Sequence, residues 1–227
     1  MSAPIVGTFS RFPVRRIYGL VRNHADHAVE TGHSGLEDPF FFLKASDREA
    51  LVAAEALETT KIRYPALTQR LHHEVELVVA IGVGGKNIQL ADAAKHIYGY
   101  AVGLDMTRAD LLADLETRGR PWCVGKSFED AGVLGPITPA EQVKDIKDAE
   151  IYLLNNGLPR QRSHVSRLIW GVAKLIEQLS IVWDLRPGDL IFTGTPRGVA
   201  PVVPGDVLEA GITGLSTLRV QVLPRPT

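Results

Sequence analysis

The run His72-His73-Glu74-Val75-Glu76-Leu77-Val78-Val79-Ala80-Ile81-Gly82 constrains this chain more than any other stretch. Val75, Leu77, Val79 and Ile81 are strand-favouring apolar residues on one alternating face, so the run predicts a strand. Its other face starts with Glu74 and Glu76 and turns apolar at Val78 and Ala80. A strand that becomes apolar on both faces is entering a core, which puts the two glutamates at its mouth. Side chains at i and i+2 point the same way, with Cα atoms roughly 6.5–7 Å apart. Like charges about 4 Å apart repel by roughly 4 kcal/mol at an effective dielectric of 20. The pair therefore asks for a cation, and a hard divalent ion is the economical one. Alone, the doublet reads first as a solvated strand face, since most glutamates are exposed.

The rest of the chain narrows the setting. Its 227 residues suffice for one sizeable core, so one unit spanning residues 1–227 is expected. A hydrophobic content of 45% with 22% charged residues is globular. Net charge is −1 with no basic run, which argues against nucleic acid or an anionic membrane as partner. The single cysteine, Cys123, excludes an intramolecular disulfide and fits a reducing compartment. A small buried filler is the expected role for it, ahead of a catalytic thiol. Met1 to Leu20 is broken by Pro4, Pro13, Arg15 and Arg16, unlike a signal peptide, and no segment approaches 18 uncharged apolar residues. A soluble, cytoplasmic protein is expected.

Read in order, Val14–Leu20 predicts a short strand, and Asn23 is a plausible N-cap for a helix through Asp26, His27 and Glu30 that ends near Gly32. There His27 and Glu30 stand at i and i+3, close enough to hydrogen-bond. A carboxylate on one imidazole nitrogen makes the other a better base, although a surface histidine beside a surface glutamate is the plainer reading. Gly32 and Gly35 make residues 23–36 a candidate mobile lid. The apolar run Pro39–Leu43, closed by Lys44, predicts a buried strand, and residues 45–70 a polar, partly helical excursion. Gly84-Gly85-Lys86-Asn87 lacks Walker spacing and reads as a hairpin turn. Residues 91–97 look helical; 98–104 form a strand that delivers Asp105. A helix is expected over 107–118, with Leu111, Leu112 and Leu115 on its buried face, then a loop carrying Lys126. Residues 151–154 predict a strand before a tight turn at Asn155-Asn156-Gly157. A helix over about 165–179 presents Leu168, Val172, Leu175, Ile176 and Leu179 at packing spacing. Two Pro-Gly-Asp turns, at 187–189 and 204–206, each lead into a strand, and residues 218–222 make a last one. Many short strands with few helices give an α+β fold around a curved sheet.

Six segments in order resemble the fumarylacetoacetate hydrolase superfamily over nearly the whole chain. They are Arg22-Asn23-His24-Ala25-Asp26-His27, Phe42-Leu43-Lys44, His72-His73-Glu74-Val75-Glu76-Leu77, Gly103-Leu104-Asp105-Met106-Thr107, Gly125-Lys126-Ser127-Phe128 and Thr193-Gly194-Thr195-Pro196-Arg197-Gly198-Val199. Pro39-Phe40-Phe41-Phe42 and Gly119-Arg120-Pro121-Trp122 point to its short bacterial-type fumarylpyruvate and acylpyruvate hydrolases. The resemblance implies a mixed β-roll of the family's C-terminal-domain type with flanking helices, and a homodimer. It implies that Glu74, Glu76 and Asp105 bind Mg²⁺ or Mn²⁺, and that His27 and Glu30 form a dyad on a lid. Lys126 would face the substrate and Thr195 its carboxylate. Arg22, Lys44 and Glu209 would lie at further substrate-binding positions. For His24, His72 and His73 structural roles are expected.

One departure bears on the substrate. Relatives usually offer arginine four and glutamine seven residues after the metal aspartate; here those positions are Ala109 and Leu112, with Arg108 beside them. Losing a charged donor to a substrate carboxylate typically costs roughly 1.5–3 kcal/mol. Either Arg108 swings in as a substrate-binding residue, or the acyl chain is less anionic. The implied activity is metal-dependent hydrolysis of a carbon–carbon bond in a small 2,4-dioxo acid, fumarylpyruvate giving fumarate and pyruvate in aromatic catabolism. The alternatives are oxaloacetate decarboxylation or oxo-acid isomerisation with decarboxylation, and, from another class, a non-catalytic oxo-acid binder.

Overall fold

A computed structural model describes residues 1–225 except His33, Gly35 and Leu36; part of the expected lid therefore lies outside the described residues. Eighteen short strands and four α-helices follow one another along the described chain. The first half contains β1 (Ser2–Pro4), β2 (Arg11–Pro13), β3 (Ile17–Leu20), α1 (Ala25–Glu30), β4 (Phe41–Lys44), β5 (Leu51–Ala53), β6 (Thr59–Arg63), β7 (Leu71–His73), β8 (Val75–Ile81), β9 (Ile97–Asp105), β10 (Thr107–Arg108) and α2 (Ala109–Thr117). The second contains α3 (Cys123–Lys126), β11 (Gly132–Leu134), β12 (Thr138–Pro139), β13 (Glu150–Asn155), β14 (Leu158–His164), α4 (Val172–Val182), β15 (Leu190–Phe192), β16 (Ala200–Val202), β17 (Val207–Ile212) and β18 (Leu218–Leu223).

The principal sheet runs β4-β3-β15-β8-β9-β11-β5, with β12 added beside β9. A second sheet runs β14-β13-β17-β18-β6. Parallel pairs (β3 with β15, β5 with β11, β6 with β18) sit among antiparallel ones, so both sheets are mixed, as the β-roll expectation requires.

β8 is the axis of this arrangement, and all seven of its residues are buried. Val75 and Leu77 pack with Leu153, Leu208 and Val220 of the second sheet. Val79 and Ile81 pack with Leu175, Ile176 and Leu179 of α4. Val78 and Ala80 meet Ile17, Leu190 and Phe192 on the opposite face. A strand covered on both sides can hold a carboxylate only where the covering stops, and that is its N-terminal end.

Several local expectations are corrected by tertiary pairing. Residues 45–70 hold β5 and β6 and no helix, because the edges of β11 and β18 supply hydrogen-bond partners. The expected helix over 165–179 is a short 3-10 turn at Val165–Arg167 and then α4; Leu168 bridges His24 between them. The glycine pair at 84–85 closes no tight hairpin: a 3-10 helix at Leu90–His96 intervenes, and Gly85 pairs with Leu185. Lys126 ends the short α3 instead of riding a loop. Phe41 and Phe42 are only half-buried and Leu43 is exposed, since β4 is an edge strand. Cys123 is exposed, not a core filler.

Candidate active site

The antiparallel register of β8 and β9 places Val75 opposite Leu104 and Glu76 opposite Gly103. Asp105 therefore arrives beside Glu74, and its backbone N–H donates to the Glu74 carbonyl at 2.9 Å. Because side chains alternate along a strand, Glu74, Glu76 and Asp105 project to one side of the sheet. Their carboxylate oxygens lie within 4.8 Å of one another.

Two lysines answer this charge. Lys126 Nζ donates to Glu74 at 2.9 and 3.1 Å, to Asp105 Oδ2 at 2.9 Å and to the Thr107 hydroxyl at 2.8 Å. Lys44 Nζ stands 2.7 Å from Asp105 Oδ1 and donates to the Ala131 carbonyl at 3.0 Å. Burial pushes Asp105 up, but the ammonium groups of Lys126 and Lys44 outweigh it and hold the carboxyl below its ordinary range. Burial, followed by the charges of Asp105 and Glu74, pushes Glu76 well above the carboxylate range; the Gly194 N–H, 2.7 Å from its Oε2, offsets only part of this. Burial likewise lowers Lys44. Two ammonium groups against three carboxylates leave one negative charge in a buried site. Asp105 Oδ1, despite its nearby ammonium, accepts no well-directed hydrogen bond. An oxygen-only donor set with residual negative charge fits a hard divalent cation.

The carboxylates open into a cleft of about 210 Å³. Leu20, Phe42, Ala109, Leu112, Trp122 and Val199 form its apolar wall, while His27, His72, Arg22, Glu116 and Thr195 add polar groups. The two departures from the family pattern, Ala109 and Leu112, thus face the same space as the carboxylates. Phe42 reaches this wall because its cross-strand partner is Gly19: a Cβ there would meet the Phe42 ring at 2.1 Å. The ring in turn lies 5.2 Å from Lys126 Nζ, a cation–π distance.

α1 brings His27 to the rim. His27 Nδ1 lies 3.3 Å from Glu30 Oε2, which also accepts the Gly198 N–H at 3.2 Å, so the helix is docked on the loop that carries Thr195. Asp26 anchors the same helix through Ser163 at 2.8 Å and Arg167 at 2.9 Å. Asn23 is not the N-cap; His24 occupies that position. Its amide instead donates to the Thr193 and Trp170 carbonyls, at 2.8 and 3.0 Å, and accepts the Trp170 N–H at 2.7 Å. That joins the start of α1 to the 193–196 loop, whose Gly194 (φ +102°) would bring a Cβ within 2.9 Å of Asn23.

Three expected substrate contacts lie elsewhere. Arg108 is outside the cleft lining: its guanidinium stacks on Phe128 at 4.3 Å and donates to the Val124 carbonyl at 3.2 Å. The stack buries the side chain, so Arg108 does not replace the missing donor. Glu209 sits on β17 between Leu208 and Ala210, which both point into the core, so its side chain faces the other side of the sheet. Lys44 meets Asp105 from beneath and lies outside the cleft lining. Thr107, given no role from the sequence, binds both Glu74 and Lys126; its position two after Asp105 was the available signal. Gln161 had none, being a polar residue on a hairpin strand far away in sequence.

Comparison with known proteins identifies the family and the fold. Residues 16–223 match the family model described as fumarylacetoacetate (FAA) hydrolase C-terminal. The crystal structure of fumarylpyruvate hydrolase from Pseudomonas aeruginosa in complex with Mn²⁺ and pyruvate superimposes with a TM-score of 0.96 at 46% identity, covering 99% of this chain and 96% of that one. A fumarylpyruvate hydrolase from Ralstonia sp is 41% identical over 83% of this chain and 95% of its own length. A mitochondrial oxaloacetate decarboxylase of Dictyostelium discoideum is 37% identical over 89% of this chain and 91% of its own. Relatives thus include both a hydrolase and a decarboxylase, and one carries a mitochondrial name. No helix among the described residues is long and apolar enough to cross a membrane.

Proposed function

The chain belongs to the fumarylacetoacetate hydrolase family, and we propose that within it the protein hydrolyses a carbon–carbon bond of a 2,4-dioxo acid, with fumarylpyruvate the favoured substrate. The observation that carries this reading is His27, paired with Glu30, lining the same cleft as Glu74 and Glu76, whose carboxylates cluster with that of Asp105. Hydrolysis needs a base to activate water, whereas loss of carbon dioxide from an oxo acid does not.

Mg²⁺ or Mn²⁺ held by the three carboxylates would supply Lewis-acid stabilisation of the charge that develops on the 2-oxo acid end. Glu30 accepts the His27 Nδ1 proton, which leaves Nε2 as the base that takes a proton from water. The resulting hydroxide adds to the distal carbonyl, the carbon–carbon bond breaks toward the pyruvate half, and protonation there completes pyruvate and fumarate. Lys126 opposes negative charge at the reacting end, and Thr195 takes the carboxylate of the 2-oxo acid. Arg22, which lines the cleft and among the described residues is held only by Glu116 at 3.5 Å, is the cation offered to the distal carboxylate of the acyl chain. The apolar wall of Ala109 and Leu112 suits the carbon chain between them. We place the protein with the family's homodimers as well, which light scattering of the purified chain tests.

A second reading, oxaloacetate decarboxylation, is favoured by the Dictyostelium relative. Pyruvate release from fumarylpyruvate and from oxaloacetate, measured in parallel with Mg²⁺, Mn²⁺ or chelator, separates the two. Metal-dependent release from fumarylpyruvate with equimolar fumarate supports the hydrolase. Release from oxaloacetate alone moves the assignment to the decarboxylase.

A further inference from the structure

We propose that Gln161, which is buried behind the cleft, is a positioning residue that biases the Thr195 hydroxyl to donate toward the ligand. The inference rests on the reading that the cleft takes a 2-oxo acid.

Gln161 lies on β14 and is 1% exposed. Its Oε1 accepts the backbone N–H of Val75 at 3.1 Å, and its Nε2 donates to the Pro196 carbonyl at 2.7 Å. A backbone N–H can only donate and a carbonyl can only accept, so the orientation of this amide is unambiguous. Its second N–H donates to Thr195 Oγ1 at 2.8 Å. Both amide hydrogens are then used, and the threonine oxygen has given one lone pair to Gln161. No described residue accepts the Thr195 hydroxyl hydrogen, and Thr195 lines the cleft. That hydrogen is left for whatever enters.

A free hydroxyl can present either a hydrogen or a lone pair; this one is biased to present the hydrogen. It therefore favours a carboxylate or carbonyl oxygen over a group that can only donate, such as an ammonium, at that point of the ligand. The same network reaches the metal carboxylates, because Val75 lies between Glu74 and Glu76, and the next residue in the loop, Gly194, holds Glu76. It also specifies a histidine tautomer. His73 Nδ1 is 3.0 Å from Gln161 Oε1, an atom that can only accept, so Nδ1 carries the hydrogen and the unpartnered Nε2 does not.

The test is pyruvate binding by calorimetry, with Mn²⁺ present, to the wild-type chain, Thr195→Val, Gln161→Glu and the double variant. Gln161→Glu puts an acceptor where Nε2 now donates, so the threonine hydrogen turns inward. Each single variant should weaken pyruvate by roughly 10-fold or more, the worth of a hydrogen bond to a charged group, with the Mn²⁺ affinity held within about 3-fold. The double variant should be no weaker than Thr195→Val, because Gln161 acts through that hydroxyl. Losses that multiply in the double variant would assign Gln161 a merely structural role and overturn the proposal. So would unchanged pyruvate affinity in either single variant. If Gln161→Glu does not fold, ¹⁵N-histidine spectra of the wild-type chain decide: a hydrogen on Nδ1 of His73 is expected, and one on Nε2 means the amide is reversed. Failure of the wild-type chain to bind pyruvate overturns the cleft reading and this proposal together.

Discussion

Glu76→Gln should stabilise the metal-free chain and at the same time abolish its stabilisation by Mn²⁺. One oxygen from each of Glu74, Glu76 and Asp105 lies within 4.8 Å of the other two, and two unit charges at that separation repel by about 3.5 kcal/mol at an effective dielectric of 20. Lys126 and Lys44 balance two of the three charges and Glu76 carries the excess; burial first, and then the charges of Asp105 and Glu74, lift its pKa well above the ordinary range. Glutamine keeps an oxygen for the Gly194 N–H and removes the excess charge. After the lysines and residual protonation of Glu76 have screened most of the repulsion, a gain of roughly 1–3 kcal/mol remains. In a chain of this length each kcal/mol moves Tm by roughly 2–4 °C. Wild-type chain at 100 times the Mn²⁺ Kd should gain about 2.7 kcal/mol by mass action. Differential scanning calorimetry with chelator and with Mn²⁺ reads both effects. A Glu76→Gln chain that melts lower than wild type in chelator, yet still rises in Mn²⁺, would refute the charge accounting and the ligand assignment.

Three other outcomes are expected. His27→Ala should keep its Mn²⁺-induced rise in Tm and lose turnover of fumarylpyruvate by roughly 10²–10⁴-fold, the usual contribution of a general base, as read by coupled pyruvate assay. Full activity would remove His27 and Glu30 from the mechanism. His24 is 1% exposed, and burial lowers its pKa from 6.5 to about 4 against the pull of Asp26. Between those values the unfolded chain binds a proton that the folded chain refuses, so stability falls as pH drops, by roughly 2–3 kcal/mol at pH 4.5 from this residue. Urea unfolding at pH 7 and 4.5 should show that His24→Leu loses correspondingly less on acidification. Asn23→Ala strands the Thr193 and Trp170 carbonyls and the Trp170 N–H, which should lower the urea stability by about 2–4 kcal/mol and raise the KM for the oxo acid by loosening the 193–196 loop.

Where periodicity and burial coincide, the sequence was legible. The strand through Val75–Ile81 follows from alternation, the run 98–104 was also read as a strand, and two glutamates at the head of a doubly apolar strand raised a cation beside the plainer reading of a solvated face. The resemblance to a known family added Asp105 and the His27–Glu30 pair, which no local pattern ties to that strand. The excursion over 45–70 misled because β5 and β6 are strands only by virtue of their partners, Leu51 with Gly132 and Thr60 with Val220. Asn23 misled in the opposite sense: a capping residue type one position before the true N-cap, His24, it is engaged by two backbone segments 147 and 170 residues away in sequence.

What the sequence determined by itself is the chemistry of the site's donors, because charge, donor capacity and side-chain alternation are properties of residues and their immediate spacing. Tertiary structure alone decided which charges meet. It put Lys126 and Lys44 on the same aspartate, stacked Arg108 on Phe128 away from the cleft, and aimed the Gln161 amide at Thr195. Each of these depends on segments far apart in the chain, and a distance of a few ångströms between such segments is written only in the register of the sheets and the packing of the core.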